Sequence, residues 1–513
     1  MRARFQSPVF RFVLIFALLL LLRVPFYFTH HVQEDAYISL RCAENLVEGR
    51  VYGFNPGERV SSSTSHLYVF LAALVRLVAG HSAYLPVMLV INTWFFIAGA
   101  FYISRVLLEE EKQQLLLWVF ISLLPMGLLI SYSGMETSLL VFMVGAAIYL
   151  AHHSRNRSLL WLVLALLPWV RPDAVAYALL IVFWASVRER RPDWRGMAAA
   201  LSGLAGLLIF NRIYFGAWLH QSINAKLLMR HSFSIKGMLQ NLGTVFIGQS
   251  DGGIFSPIRT RYLSAFGVLF LLVILTAIVI FLWKHRNDRK MLIIGLAVAS
   301  MAILIPLAYA FGGVLYQWYF WPSSLLGYAI LLAVILKITH SSKYFVKVTR
   351  GLLILALFLG ALAQWAFSYS WGMKEYAYRG GIGVWLQQHA RSSDRVLLEP
   401  AGYIPYYSDL YTYDEVGLVS PQVVTYRQAY DLRWWPEFVM DYQPEWIIQR
   451  AHITQDTTYQ GYQLTREESA WFHQNYELVA SFSFVPEDYT DSPILVRLLM
   501  LGQVDDYYVF SRK

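Results

Sequence analysis

The stretch Leu67–Gly80, LYVFLAALVRLVAG, decides how the rest of the chain is laid out. It is apolar, but it is shorter than the ~20 residues a helical membrane span needs. Arg76 interrupts it, and the hydroxyl-rich run Ser61–Ser65 precedes it. Working outward, apolar stretches close to span length lie at roughly 9–28, 84–104, 113–131, 136–152, 197–215, 263–283, 291–310, 321–337 and 351–369. Two shorter runs, Leu159–Val170 and Ala174–Val187, flank Arg171-Pro172-Asp173 and suit a hairpin of short or tilted helices, which brings the expected count to eleven. If Leu67–Gly80 were a further span, every later loop would change sides. With Leu67–Gly80 on the surface, the loops at 105–112, 155–157, 188–195, 284–290 and 337–350 share the side of the amino terminus and carry sixteen Lys and Arg. The opposite short loops, 81–83, 132–135, 171–173 and 311–320, carry only Arg171. Because Lys and Arg accumulate in cytoplasmic loops, the expectation is a cytoplasmic amino terminus, eleven spans and an exported carboxyl terminus. Leu67–Gly80 is then an interfacial helix.

Composition agrees with a membrane protein. Of 513 residues 57% are hydrophobic and 15% charged, against about 25% charge in soluble domains. The net charge of +9 divides unevenly: residues 1–369 carry +17 and residues 370–513 carry −8. The basic part is a membrane body with positive loops, so nothing in the charge asks for nucleic acid. A single cysteine, Cys42, excludes an internal disulfide framework and any multi-cysteine metal site. No small-residue cleavage motif follows the first apolar run, which reads as the first span. The expected organisation is an α-helical polytopic body over 1–369, with external loops at about 29–83 and 216–262, followed by a soluble mixed α/β domain over 370–513. Short β-leaning runs at Arg395–Leu398 and Trp446–Ile448 mark that domain.

Ionisable residues collect at the external boundary. Glu34 and Asp35 stand where the first span leaves the membrane. Carboxylates at that depth either act, for instance by taking a proton from an attacking hydroxyl, or are wet acids opening the helix predicted over Ala36–Val47. The 216–262 loop holds His220, Lys226, Arg230, His231, Lys236, Arg259 and Arg261 against Asp251 alone. That excess suits an anionic lipid head group or a plain anionic membrane surface. Glu136, Arg171 and Asp173 lie at the outer ends of spans, as an ion pair or a pocket wall. Tyr316, Trp318 and Tyr319 form an interfacial belt or a sugar-stacking wall. The adjacent pairs His30-His31 and His152-His153 lack metal-ligand spacing, and no glycine-rich phosphate loop is present, which disfavours nucleotide sugars as donors.

The string DAYISLRCAENLVEG (Asp35–Gly49), followed by FNPGERV (Phe54–Val60) and a Ser/Thr-rich entry to an apolar helix, resembles the polytopic C-type (GT-C) membrane glycosyltransferases. It looks most like the branch that contains the mycobacterial arabinofuranosyltransferases. SGMET at Ser133–Thr137, WVRPDA at Trp169–Ala174 and AGYIPYYSDLYTYDEVGL at Ala401–Leu418 are similar too. The resemblance implies a donor sugar on a polyprenyl phosphate, an envelope glycan, lipid or protein acceptor, and an external acidic base. Asp35 matches that base best, with Glu34 as neighbour or substitute. Arg41, His220, Lys226, Arg230, Arg259 and Arg261 are then the candidates for donor phosphate, and Glu136, Arg171, Asp173, Tyr316, Trp318 and Tyr319 the candidates for the pocket. An inverting displacement would need no metal and no cofactor besides the lipid-linked donor, since Arg and Lys can bind the phosphate. A protein O-glycosyltransferase differs only in acceptor. A transporter or flippase would place its ionisable groups at mid-membrane, where only Arg212 stands out. The expected location is the cell's inner membrane, multi-pass, with the carboxyl-terminal domain periplasmic or extracellular.

Overall fold

A computed structural model describes residues 8–153, 157–228, 262–311, 317–338, 343–450, 458–459, 462–485, 491–500 and 505–513. Up to residue 372 the described chain is a helical body. By length and composition six of its helices can cross a membrane, or seven if the pair Glu111–Leu123 and Pro125–Tyr132, bent by 67°, is one span. Thr137–His153 and Arg157–Val170 are apolar but shorter, and the apolar helix Tyr262–Lys284 runs 23 residues. Among the described residues, several of the expected apolar runs fold as short or bent pieces. Pro125 shows why: proline pushes the residue before it out of the helical region, and Leu124 is extended at ψ 140.

The deciding segment is part of a helix that runs His66–Leu107 and breaks at Gly80, whose φ is +76° and ψ 177°. Only glycine takes that conformation at no steric cost. Before the break, Tyr68, Val69, Ala72 and Ala73 face the protein, while Phe70, Leu74, Leu77 and Val78 are exposed. An apolar face directed outward beside Arg76 is the surface of a helix lying at a lipid boundary. After the break, the helix packs closely on Thr137–His153. Gly99 makes this crossing possible, because a Cβ there would lie 2.8 Å from the backbone of Phe142. Small residues at such crossings let helix backbones approach. The last long helix, Lys343–Gly372, exposes Leu352, Ile354, Leu355, Phe358 and Leu359. A contiguous apolar surface of this kind belongs in lipid.

The expected boundary at 369/370 falls inside continuous helix. Lys343–Gly372 passes through a π-helical turn, Met373–Arg379, into Gly380–His389 before the first strand. The outer domain is built on a sheet of five strands: β1 (Arg395–Leu398), β2 (Tyr411–Asp414), β3 (Trp446–Gln449), β6 (Tyr476–Phe484) and β7 (Asp505–Arg512), in the order β2-β1-β3-β7-β6. β4 (Thr458–Tyr459) and β5 (Tyr462–Gln463) pair separately. β1 is parallel to both β2 and β3, with Leu397 opposite Tyr413 and Ile447, while β7 runs antiparallel to β3 and β6. Leu397 and Ile447 pack on one face with Trp435 and Phe438, and Val396 and Ile448 on the other with Ile382 and Ile404. Strands buried on both faces read as continuous apolar runs, which is why RVLL and WIIQ carry no alternation.

Candidate active site

The loop after the first long helix is anchored before it reaches the site. Gln33 donates its N–H to the carbonyl of Ser133 at 2.8 Å. Tyr403 of the outer domain donates its hydroxyl to the Val32 carbonyl at 2.7 Å. Asp35 then stands at the amino-terminal end of the helix Ala36–Val47, its side chain making no capping hydrogen bond, and the helix's inward residues Tyr37, Leu40, Cys42 and Ala43 are fully buried. The positive end of that helix favours a carboxylate at this position.

Asp35 opens onto a small, partly open cleft lined also by Ser39, Ser62, Ser63, Thr64, Met135, Glu136, Ser222, Lys226, Trp318, Tyr319 and Leu418. The Asp35 carboxylate is a quarter exposed, and Lys226 Nζ lies 3.9 Å from its Oδ2. Lys226 also donates to the Tyr319 hydroxyl at 3.3 Å and stands 5.9 Å from the centre of the Trp318 ring. Glu136 lines the same cleft, with Arg171 Nε 3.9 Å behind it. Arg171 grips Asp173 with two hydrogen bonds of 3.0 and 2.9 Å, lies over the Tyr319 ring at 4.5 Å, and contacts the Tyr309 hydroxyl at 3.2 Å. Among the described residues, Arg171 Nη1 has no hydrogen-bond partner.

The structure thus brings together Asp35, Lys226, Glu136, Arg171, Asp173, Trp318 and Tyr319 from five separate stretches of sequence. Three other expected site residues have different occupations. Glu34 is half-buried against the outer domain: its Oε1 accepts from the Tyr403 N–H at 3.0 Å and its Oε2 faces Arg379 at 3.6 Å. Burial and the neighbouring Glu375 push its pKa well up, against the pull of Arg379. Arg41 is buried as a strut, its guanidinium donating to the carbonyls of Phe54 and Leu410 at 3.0 and 2.7 Å and to that of Pro405. With its donors spent on carbonyls, it is not placed to hold phosphate. His220 is buried between Ser61 Oγ at 2.7 Å and Asn211 at 3.3 Å. Burial pulls its pKa down to about 3, so it is a neutral hub and brings no cation. Arg230, His231, Lys236, Asp251, Arg259, Arg261 and Tyr316 lie outside the described residues.

Ser222 and Leu418 were not among the expected residues. Ser222 lies four residues before Lys226 on the helix Gln221–Leu228, so both share one face. Its hydroxyl is buried in the cleft wall, with no hydrogen-bond partner among the described residues. The i, i+4 spacing was the available signal. Leu418 had none, because its place depends on how the outer domain docks.

No protein of curated function matches the sequence significantly. A family model described as a domain of unknown function (DUF8728) matches residues 367–509, the outer domain with the end of the last helix. Similar solved structures include ArnT from Cupriavidus metallidurans bound to undecaprenyl phosphate, with a TM-score of 0.56 at 11% identity over 92% of this chain and 97% of that one. The archaeal oligosaccharyltransferase AglB from Archaeoglobus fulgidus, in complex with an inhibitory peptide and a dolichol-phosphate, has a TM-score of 0.51 at 11% identity, covering 85% and 69%. Apo ArnT has a TM-score of 0.51 at 12% identity, covering 86% and 93%. These likenesses run through the helical body and the outer domain together, and the chain has the GT-C fold of a multi-pass membrane protein.

Proposed function

We propose that this protein is a membrane glycosyltransferase that moves a sugar from a polyprenyl-phosphate donor to a hydroxyl of an envelope glycan or lipid on the outer face of the cell membrane. The observation that carries the reading is the Asp35 carboxylate, largely buried in a cleft with an ammonium 3.9 Å away. The fold lends support, since the similar ArnT and AglB structures hold lipid phosphates. The charge asymmetry of the loops supports a cytoplasmic amino terminus and an exported outer domain.

The chemistry follows from the residues. Lys226, with Ser222 beside it, receives the donor phosphate, and a phosphate exchanges for Asp35 as the partner of the ammonium. The acceptor oxygen forms a bond to the anomeric carbon as the bond from that carbon to the phosphate oxygen breaks. The acceptor proton passes to Asp35, and the electron pair leaves on polyprenyl phosphate. Because nucleophile and leaving group occupy opposite faces, the anomeric configuration inverts. Asp35 supplies general-base catalysis, and Lys226 stabilises charge developing on the leaving group.

The test is purified protein in lipid, given radiolabelled polyprenyl-phosphate sugars and a panel of envelope acceptors. Wild type should release polyprenyl phosphate, and Asp35→Asn should lose ~10²–10⁴-fold in turnover while donor binding and folding persist. Near-normal turnover in Asp35→Asn removes Asp35 as the base.

A further inference from the structure

One wall of the cleft does not belong to the membrane body. Leu418, in the turn after β2, lines it together with Asp35 and Lys226, and the surrounding contacts hold that turn in place. Asp414, fully buried at the end of β2, accepts hydrogen bonds on its carboxylate from the N–H groups of Val416 at 3.1 Å and Leu418 at 2.5 Å. Gln221, which opens the helix bearing Ser222 and Lys226, donates its side-chain amide to the Gly417 carbonyl at 2.9 Å. One layer back, Asn55 of the first loop exchanges two hydrogen bonds of 3.0 and 2.9 Å with the backbone of Thr412. The turn is thus fixed both to its own domain and to the phosphate-side helix.

Geometry then assigns sides. A donor carried on a lipid tail has to arrive from the bilayer. Its phosphate would meet Lys226, Trp318 and Tyr319, the last two directly before the apolar helix Trp321–Ile338. Leu418 approaches from the domain outside the membrane, the side from which an acceptor arrives through water. It offers apolar surface opposite hydroxyls, whereas every charged group lining the cleft comes from the body.

We infer that Leu418 is an acceptor-specificity residue and that Asp414 is the positioning residue that sets its height in the cleft. Through this turn the outer domain selects what is glycosylated. The inference rests on the proposed transfer reaction. Packing against a side chain at the reacting end is felt as differential affinity for one substrate, so the two substrates separate its effect from general damage.

The experiment is full-length protein in lipid vesicles with a polyprenyl-phosphate sugar and the best acceptor of the panel, measuring donor and acceptor KM separately. Leu418→Ala should raise acceptor KM by about tenfold, as expected for lost apolar contact with one substrate, and leave donor KM within twofold. Leu418→Met, which conserves volume, should restore most of the acceptor KM. Asp414→Ala should move acceptor KM the same way and Asp414→Asn, which keeps an acceptor oxygen, less so. An unchanged acceptor KM in Leu418→Ala, or donor and acceptor KM rising together while Leu418→Met fails to recover either, overturns the inference. Wild type that releases no polyprenyl phosphate from any donor overturns the reaction and this inference with it. Turnover in wild type with an unmoved acceptor KM overturns this inference alone.

Discussion

Lys226 and Arg41 show how little the presence of a cation says about its use. Both are basic residues of segments that connect the long helices. Lys226 stands in a cleft beside Asp35 and two aromatic rings, whereas Arg41 is sealed among backbone carbonyls of two domains. A charge-assisted hydrogen bond to phosphate is worth ~1.5–3 kcal/mol, and each 1.4 kcal/mol is about tenfold in affinity. Lys226→Gln should therefore raise donor KM about 10–100-fold with little change in the unfolding midpoint, measured by turnover and by thermal unfolding in detergent. Ser222→Ala should move donor KM in the same direction by a smaller factor. Arg41 should behave in the opposite way. Arg41→Met removes the donors that tie the Phe54 carbonyl to those of Pro405 and Leu410; each carbonyl keeps a local donor in Asn45, Asp409 or Thr412, so the loss is that of ordinary hydrogen bonds, ~0.5–1.5 kcal/mol each. Its signature is a lower unfolding midpoint and faster proteolysis of the outer domain, with donor KM unchanged in the protein that folds. Arg41→Lys should not rescue it, since a single ammonium cannot reproduce the fork that spans three carbonyls.

At the scale of elements, much of the architecture was legible because lipid imposes a coarse rule. Long apolar runs become helices, and both apolar strand runs, Arg395–Leu398 and Trp446–Ile448, are found as β1 and the start of β3. Leu67–Gly80 was readable as a helix unlike the spans, since its length and Arg76 argued against crossing, and the break at Gly80 fits that reading. The site was legible in part. Asp35, Glu136, Arg171 and Trp318 carry charge or aromaticity at a boundary, and such residues stand out against apolar sequence. Glu34 and Arg41 stood out for the same reason, but their roles depend on partners more than three hundred positions away, Tyr403 and Pro405 among them. No local pattern encodes a contact of that range. Helix crossings are equally non-local. Gly99→Leu forces a side chain into the Phe142 backbone, and overpacking of this kind costs ~1–3 kcal/mol or more. The unfolding midpoint in detergent should drop accordingly. Gly381→Leu, at a glycine where an added Cβ would meet no atom within 4 Å, should not lower it through a clash.

At the scale of the whole molecule, the two parts should respond differently to pH. The body is held by apolar packing, whereas the outer domain buries Asp414 and Glu415 side by side at the end of β2. Glu415 accepts from the Trp435 indole at 2.9 Å and from Gln449. Burial, reinforced by Glu399, pushes both carboxyl groups up to about 7, although backbone and side-chain donors pull the other way. Unfolded, such groups titrate near ~4, so between about pH 4 and 7 the folded domain binds more protons than the unfolded one. By linkage, stability then falls as pH rises through that window and levels off above it. The outer domain should accordingly be more resistant to proteolysis and hydrogen exchange at pH 5 than at pH 8, with exchange in the Arg289–Phe311 helix far less affected. Glu415→Gln, which keeps an acceptor oxygen without a titrating proton, should make the profile shallower between those two pH values, leaving the part due to Asp414. A domain equally protected at both, or better protected at pH 8, would mean that the two carboxylates are held charged by partners stronger than the desolvation they suffer. Because Asp414 also supports the turn that carries Leu418, acceptor KM should be lower at pH 8, where the carboxylate is charged and grips the backbone N–H groups, than at pH 5. Stability and acceptor binding in this protein should thus shift in opposite directions across the same titration.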